Sequence, residues 1–200
     1  MLSSKQIDTI TEIINIGVGK GSASLGQMIN GEILLNVPYV NVINFEDVLS
    51  EIQKLGGGDE VHSVEMKFSG EYEGSANVIL PGESSKLLAS LLIHEDPDSA
   101  TIAEMKDGLM IETGNIILNA IMGSFGNILD APLNYHMPQS YQGDVVGIYG
   151  LLDKQRYHQV LVCHTNFSIR GKNISGDILI MYEMSSFNKL SDVLNKMIES

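Results

Sequence analysis

The chain has 200 residues, 44% hydrophobic and 18% charged, with a formal net charge of −13 from 25 acidic and 12 basic residues. This length and apolar share fit one folded domain, or two halves sharing a core, and exclude a disordered chain. No Lys/Arg cluster is present, which excludes nucleic-acid binding through phosphates and leaves the acidity to solubility or to a partner with a basic surface. The opening Met1-Leu2-Ser3-Ser4-Lys5-Gln6 lacks the apolar core of a signal peptide, and no apolar run reaches membrane-spanning length. The expected compartment is therefore the cytoplasm, without membrane insertion. The single Cys163 sits in an apolar, strand-like run and reads as a buried inert thiol. His62, His94, His136, His158 and His164 are scattered without ligand spacing, so the sequence predicts neither a metal site nor a cofactor of its own.

Taken in chain order, the first element is a helix. Ser3 or Ser4 caps it, Ile7, Ile10, Ile13 and Ile14 recur at helical spacing, and it runs to about Met28, ending near Asn30-Gly31. Residues 32–45 read as a strand interrupted by Pro38, which favours an edge or a bulge. A short helix over 46–55 is stopped by Gly56-Gly57-Gly58. Strands over 61–68 and 71–80 form a hairpin around Ser69-Gly70, and an amphipathic helix covers 84–93. The polar stretch 94–99 links to a second long helix over 100–129. A strand region with Pro132 and Pro138 follows, then a short segment over 145–152. Strands over 157–169 and 173–184 flank Arg170-Gly171, and a last helix, capped by Ser185 or Ser186, ends near Ile198.

The second half thus repeats the order of the first, and a motif repeats with it. Glu12, Asn15 and Pro38 recur 100 residues later as Glu112, Asn115 and Pro138, with the same 22 residues between Asn and Pro. That period is too long for a solenoid and implies a duplicated half-domain, with half-repeats of about 1–96 and 97–200 inside a single domain over 1–200. Hairpins cannot build an all-parallel sheet. The expected fold class is α/β of the α+β kind: a pseudo-two-fold duplicated domain with a largely antiparallel or mixed sheet covered by two long helices, about three strands coming from each half.

At about 100° per residue, Asp8, Glu12 and Asn15 fall within roughly 60° of arc on their helix, away from Ile10, Ile13, Ile14 and Gly17. Gly108, Glu112 and Asn115 take the same angular places on the second helix. One such polar stripe is ordinarily a solvated helix face; two in register, each tied to a distant Pro, point to two copies of one surface site. Gly17, Gly19 and Gly21 each cost a helix interior about 1 kcal/mol relative to Ala, so close packing or a close partner must offset them. Gly17-Val18-Gly19-Lys20-Gly21-Ser22 is not a phosphate loop, because Lys20 precedes Gly21 and no strand leads into it. A Glu and an Asn alone make a poor self-contained active site. An Asn amide can, however, hold a water by accepting and donating hydrogen bonds, and a carboxylate can bind a partner's Lys. This chemistry suits a protein that completes the active site of another, above all in phosphoryl transfer, where positioning is most of the catalysis.

The pattern Asp or Ser, three residues, Glu, two residues, Asn, twenty-two residues, Pro resembles that of the CheC/CheX/FliY family of chemotaxis phosphatases. Asp8-Glu12-Asn15-Pro38 matches it fully, and Glu112-Asn115-Pro138 matches apart from Gly108 at the Asp or Ser position. The flanks from Asn15 to Met28 and from Glu112 to Asn119 are similar to that family as well. Two motifs look like CheC; CheX resembles a one-site version, and FliY carries an additional flagellar-switch domain for which the chain has no room. The resemblance implies hydrolysis of the phospho-aspartate of a CheY-type response regulator. Asn15 and Asn115 would orient the attacking water, Glu12 and Glu112 would contact a regulator Lys, and the Mg²⁺ would sit on the regulator. It further implies the receptor deamidase CheD as a partner. The alternative is a non-catalytic adaptor, binding CheD or resembling the flagellar switch, that holds CheY without hydrolysis. Because Gly108 leaves a gap in the second stripe, the first site is expected to be at least as active as the second.

Overall fold

The computed structural model describes residues 2–29, 31–54, 60–150, 157–169 and 171–199. The sequence expectations for Asn30, Gly56, Gly57, Gly58, Leu151, Leu152 and Arg170, and for the side chain of His158, lie outside the described residues. The first helix, α1 (Ser4–Ile29), begins with a reciprocal cap. Gln6 N donates to Ser3 Oγ at 3.3 Å while Ser3 N donates to Gln6 Oε1 at 2.7 Å, which satisfies two of the orphan donors of the first turn. Pro38 splits the following strand region into β1 (Ile33–Asn36) and β2 (Val40–Asn44). A single 3-10 turn, Phe45–Asp47, leads into the short α2 (Val48–Gln53). The half closes with β3 (Glu60–Gly70), β4 (Gly74–Pro81) and α3 (Gly82–Ile93).

The second half runs α4 (Ala100–Ile128), β5 (Leu133–Tyr135), β6 (Gln139–Asp144), α5 (Val145–Tyr149), β7 (Tyr157–Ile169), β8 (Lys172–Glu183) and α6 (Met184–Glu199). Ser99 Oγ caps α4 by accepting from Ile102 N at 3.2 Å. Among the described residues each half therefore supplies four strands where the sequence suggested three, because the Pro-interrupted region yields two.

All strand pairs among the described residues are antiparallel, in the order β1-β7-β8-β4-β3-β5, with β2 also on β7 and β6 also on β3. Exchanging each strand for its counterpart in the other half reverses this order and leaves it unchanged, with β4 and β8 paired at the centre. Two glycines mark the symmetry there. A Cβ at Gly74 would lie 2.1 Å from Met181 O, and one at Gly176 would lie 2.8 Å from Ile79 O, so neither position admits a side chain.

Helices α1, α3, α4 and α6 cover one sheet face around the larger core, which includes Ile10, Ile14, Ile117, Ile121, Phe125 and Tyr182. On the other face Val48, Ile52, Val145 and Tyr149 of the short helices pack on Val160, Val162, Leu179 and Met181. Two local expectations are corrected. The β3–β4 turn is Glu71–Glu73 rather than Ser69-Gly70; β3 continues through Gly70 because Ser69 and Gly70 still pair with Asn134 and Leu133 of β5. Ser185 and Ser186 lie inside α6 and do not cap it; buried Ser186 instead accepts a hydrogen bond from Glu73 N at 2.8 Å, tying the helix to that turn.

Candidate functional site

The site-bearing helices are set by how α1 meets α4. A Cβ at Gly17 would lie 2.5 Å from Ile121 Cα, and one at Gly21 would lie 3.3 Å from Ile117 Cα. The contact partner falls by four residues as the glycine advances by four, so the helices run antiparallel. Residues 17 and 117, and 21 and 121, exchange under the repeat, which puts the pseudo-two-fold at the level of Gly19 and Asn119. Asn15 and Asn115 each lie four residues before this crossing, about 12 Å apart along the helix direction. The two sites therefore flank the crossing on one helix layer.

The apolar faces of both helices point into the core: Ile10 and Ile14 in α1 and Ile117 and Ile121 in α4 are each 0% exposed. Asp8, Glu12, Gly108 and Glu112 are exposed, whereas Asn15 and Asn115 are half-buried. The structure thus brings Asp8, Glu12 and Asn15 onto one face, and Gly108, Glu112 and Asn115 onto another. Pro38 is exposed and Pro138 half-buried, each opening a strand region beside its own helix.

The two amides are held differently. Asn15 Nδ2 donates to Val37 O at 3.1 Å, and Val37 N donates to Asn15 Oδ1 at 3.2 Å. One side chain thus clamps both backbone groups of the residue before Pro38, which gives the 22-residue spacing a physical cause. Val37 is 2% exposed, so its backbone needs such partners. One N–H and one lone pair of the Asn15 amide stay available to an incoming group. In the second site Asn115 Oδ1 instead accepts from Asn119 Nδ2 at 2.6 Å, and Met137, the counterpart of Val37, is 87% exposed. The sequence reading missed both Asn119 and the clamp. A side chain four residues on, one helical turn away, was the available signal for Asn119.

Beside the second site lies a small polar cluster. His62, 2% exposed, has Nε2 2.8 Å from Ser140 Oγ and 3.4 Å from Asp107 Oδ1, and Ser140 Oγ donates to Asp107. Burial, helped by Lys106 and opposed by Asp107, holds the imidazole below its ordinary pKa. Asp107 sits on the Nε2 side, so this is not a nucleophile relay, in which the carboxylate orients Nδ1. A second cluster lies beside Pro38 and Tyr39, where His164 Nδ1 is 2.7 Å from Asp177 Oδ1 and His164 Nε2 is 3.3 Å from Glu51 Oε1. No group of three His, Cys, Asp or Glu among the described residues is arranged to hold a metal ion. No helix among them is long and apolar enough to cross a membrane.

The fold is similar to that of solved chemotaxis and flagellar-switch proteins. The solved structure of FliY from Thermotoga maritima superposes with a TM-score of 0.77 at 19% identity, covering 98% of each chain. CheX, in its complex with CheY, BeF3 and Mg²⁺ from Borrelia burgdorferi, gives a TM-score of 0.52 at 17% identity over 84% of this chain and 96% of that one. In sequence the chain is 24% identical over 142 residues to the CheY-P phosphatase CheC of Bacillus subtilis, a match that spans 69% of this chain and 66%, just under two thirds, of that protein. No family profile matches the chain. In sequence and in fold the chain is thus similar to proteins of the CheC/CheX/FliY group.

Proposed function

We propose that this protein is a phosphatase for the phospho-aspartate of a CheY-type response regulator, working through two sites, Glu12/Asn15 and Glu112/Asn115. The observation that carries the reading is the recurrence of Glu and Asn, in register, on the accessible faces of two helices that cross about a pseudo-two-fold, in a chain similar to a CheY-P phosphatase. In each site the carboxylate pairs with a Lys of the regulator and docks the helix over its phosphorylated pocket. The Asn amide then accepts a hydrogen of a water and aims its oxygen at phosphorus. Water adds to phosphorus, the phosphorus–oxygen bond of the mixed anhydride breaks, and the aspartate carboxylate leaves, giving inorganic phosphate and the resting regulator. The Mg²⁺ of this reaction belongs to the regulator, where it balances the phosphoryl charge. The chain's own contribution is orientation of water and exclusion of unproductive poses, worth several kcal/mol of barrier when the geometry is right.

Likeness to CheC makes the deamidase CheD a second proposed partner, and the cytoplasm, where such regulators act, the proposed compartment. An adaptor that only binds CheY would not need an Asn in both sites, which favours the phosphatase. The test is the decay of phosphorylated B. subtilis CheY with and without the protein. Faster decay that requires Asn15 or Asn115 supports the reading, and unchanged decay with demonstrable binding overturns it in favour of the adaptor.

A further inference from the structure

The two sites match in Glu and Asn but differ in what holds the Asn. In α1 position 19 is Gly, a Cβ there would meet nothing within 4 Å, and the amide of Asn15 is fixed from the strand side by Val37. In α4 the same position carries Asn119, whose Nδ2 donates to both Oδ1 and the backbone O of Asn115, at 2.6 and 2.9 Å. We propose that Asn119 is a positioning residue of the second site, orienting the Asn115 amide in place of the strand clamp that orients Asn15. The proposal rests on the phosphatase reading and names the residue through which that site acts.

The physical need is specific. The terminal torsion of Asn is broad and two-fold, so an unheld amide presents its oxygen and its nitrogen almost interchangeably. A water is oriented only if one end is reliably offered. With Asn119 donating to Oδ1, the oxygen keeps one lone pair for the water and both hydrogens of Asn115 Nδ2 stay free. The contact joins two exposed or half-exposed side chains one turn apart, a kind of pair that adds little to the stability of a helix. Its effect therefore belongs in turnover and not in stability. The sites are two solutions to one requirement: Asp8 with a backbone clamp, or Gly108 with an amide relay.

The experiment isolates the second site with Glu12→Lys, an exposed substitution that reverses the charge the first site offers. In that background Asn119→Ala and Asn119→Asp each lower kcat for phosphorylated B. subtilis CheY about tenfold, with KM within about twofold and an unchanged melting temperature. Asn119→Gln, which keeps an amide donor, restores kcat to within about twofold of the parent. The Asp variant separates donation from shape, since a merely space-filling residue would tolerate it. Unchanged kcat in Asn119→Ala, or an active Asn119→Asp, overturns the role. Independently of activity, Asn115→Ala shifts the side-chain amide signal of Asn119 in nitrogen–hydrogen spectra of the whole protein, and an unmoved signal overturns the pairing itself. A wild-type protein that binds CheY but never hastens its decay overturns the phosphatase reading, and this role with it; an active wild type whose Glu12→Lys variant has lost all activity overturns this role alone.

Discussion

Asn15 joins two tasks in one amide. Pro38 biases Val37 toward extended backbone, and the carboxamide then reaches both of its main-chain groups. Removing it leaves a buried N–H and C=O to find other partners. Asn15→Ala is accordingly expected to lower stability by about 1–3 kcal/mol, a loss of several degrees in melting temperature for a chain of this size. Asn115→Ala, whose bonded partner is the exposed side chain of Asn119, stays within about 0.5 kcal/mol. Parallel urea titrations check this, and equal losses would show that the clamp carries no stability. The clamp and Asp8 also favour the first site in turnover, so Asn15→Ala loses more activity than Asn115→Ala when both are assayed well below their melting points. The reverse order would show that the amide relay is the better device. At this scale the sequence revealed the polar stripes, because helical periodicity and the repeat make Glu12, Asn15, Glu112 and Asn115 visible together. It did not reveal the clamp, since a bond to the backbone of residue 37 is blind to that residue's side chain and leaves only a constant spacing behind.

Among the elements, the contact of α1 with α4 places the sites, and its glycines differ sharply in role. Gly17 has the backbone of Ile121 at 2.5 Å from a would-be Cβ and Ala120 O at 2.9 Å, so Gly17→Ala must push the helices apart. A loss on the order of 2–4 kcal/mol is expected from such overpacking, with lower activity at both sites because the crossing shifts. Gly19, exposed and with open space around it, follows the ordinary rule, and Gly19→Ala stabilises the protein by about 0.5–1 kcal/mol. Thermal unfolding of the two variants separates these signs; a stabilised Gly17→Ala would mean that the helices do not pack as closely as described. Helical glycines announce themselves in sequence by their cost, but which of them faces a neighbour depends on a partner 100 residues away. The same limit applies to caps. Ser3 with Gln6 has the spacing of a capping box and forms one, whereas Ser185 and Ser186 merely precede an amphipathic run, and the helix begins before them.

For the whole molecule, the repeat makes a symmetric α+β arrangement with a largely antiparallel or mixed sheet readable in the sequence, because hairpins and duplicated elements leave few topologies. The second core beneath α2 and α5 was less readable. Those helices are too short to show periodicity, and β4 and β8, buried along most of their length, do not alternate clearly between apolar and polar residues. On that side of the sheet the molecule also holds a charge that its composition does not foretell. Asp177 is 0% exposed, its Oδ1 faces His164 Nδ1, and its Oδ2 has no hydrogen-bond partner among the described residues. Burial raises the carboxyl to about 6, against the opposing pull of His164. An unfolded Asp titrates near 3.9, so the folded state binds this proton more tightly than the unfolded chain. The stability linked to that proton is fully present below about pH 4, falls as pH rises through 6, and is lost above it, for a total on the order of 3 kcal/mol. Most carboxylates of an acidic protein work in the opposite sense, so the contribution is isolated by difference. Asp177→Asn carries no ionisable carboxyl, and its stability deficit relative to the parent protein should shrink, or become a gain, between pH 4 and pH 7.5. Urea titrations of both proteins across that range provide the check, and a deficit that grows with pH would show that His164 outweighs burial and holds Asp177 ionised.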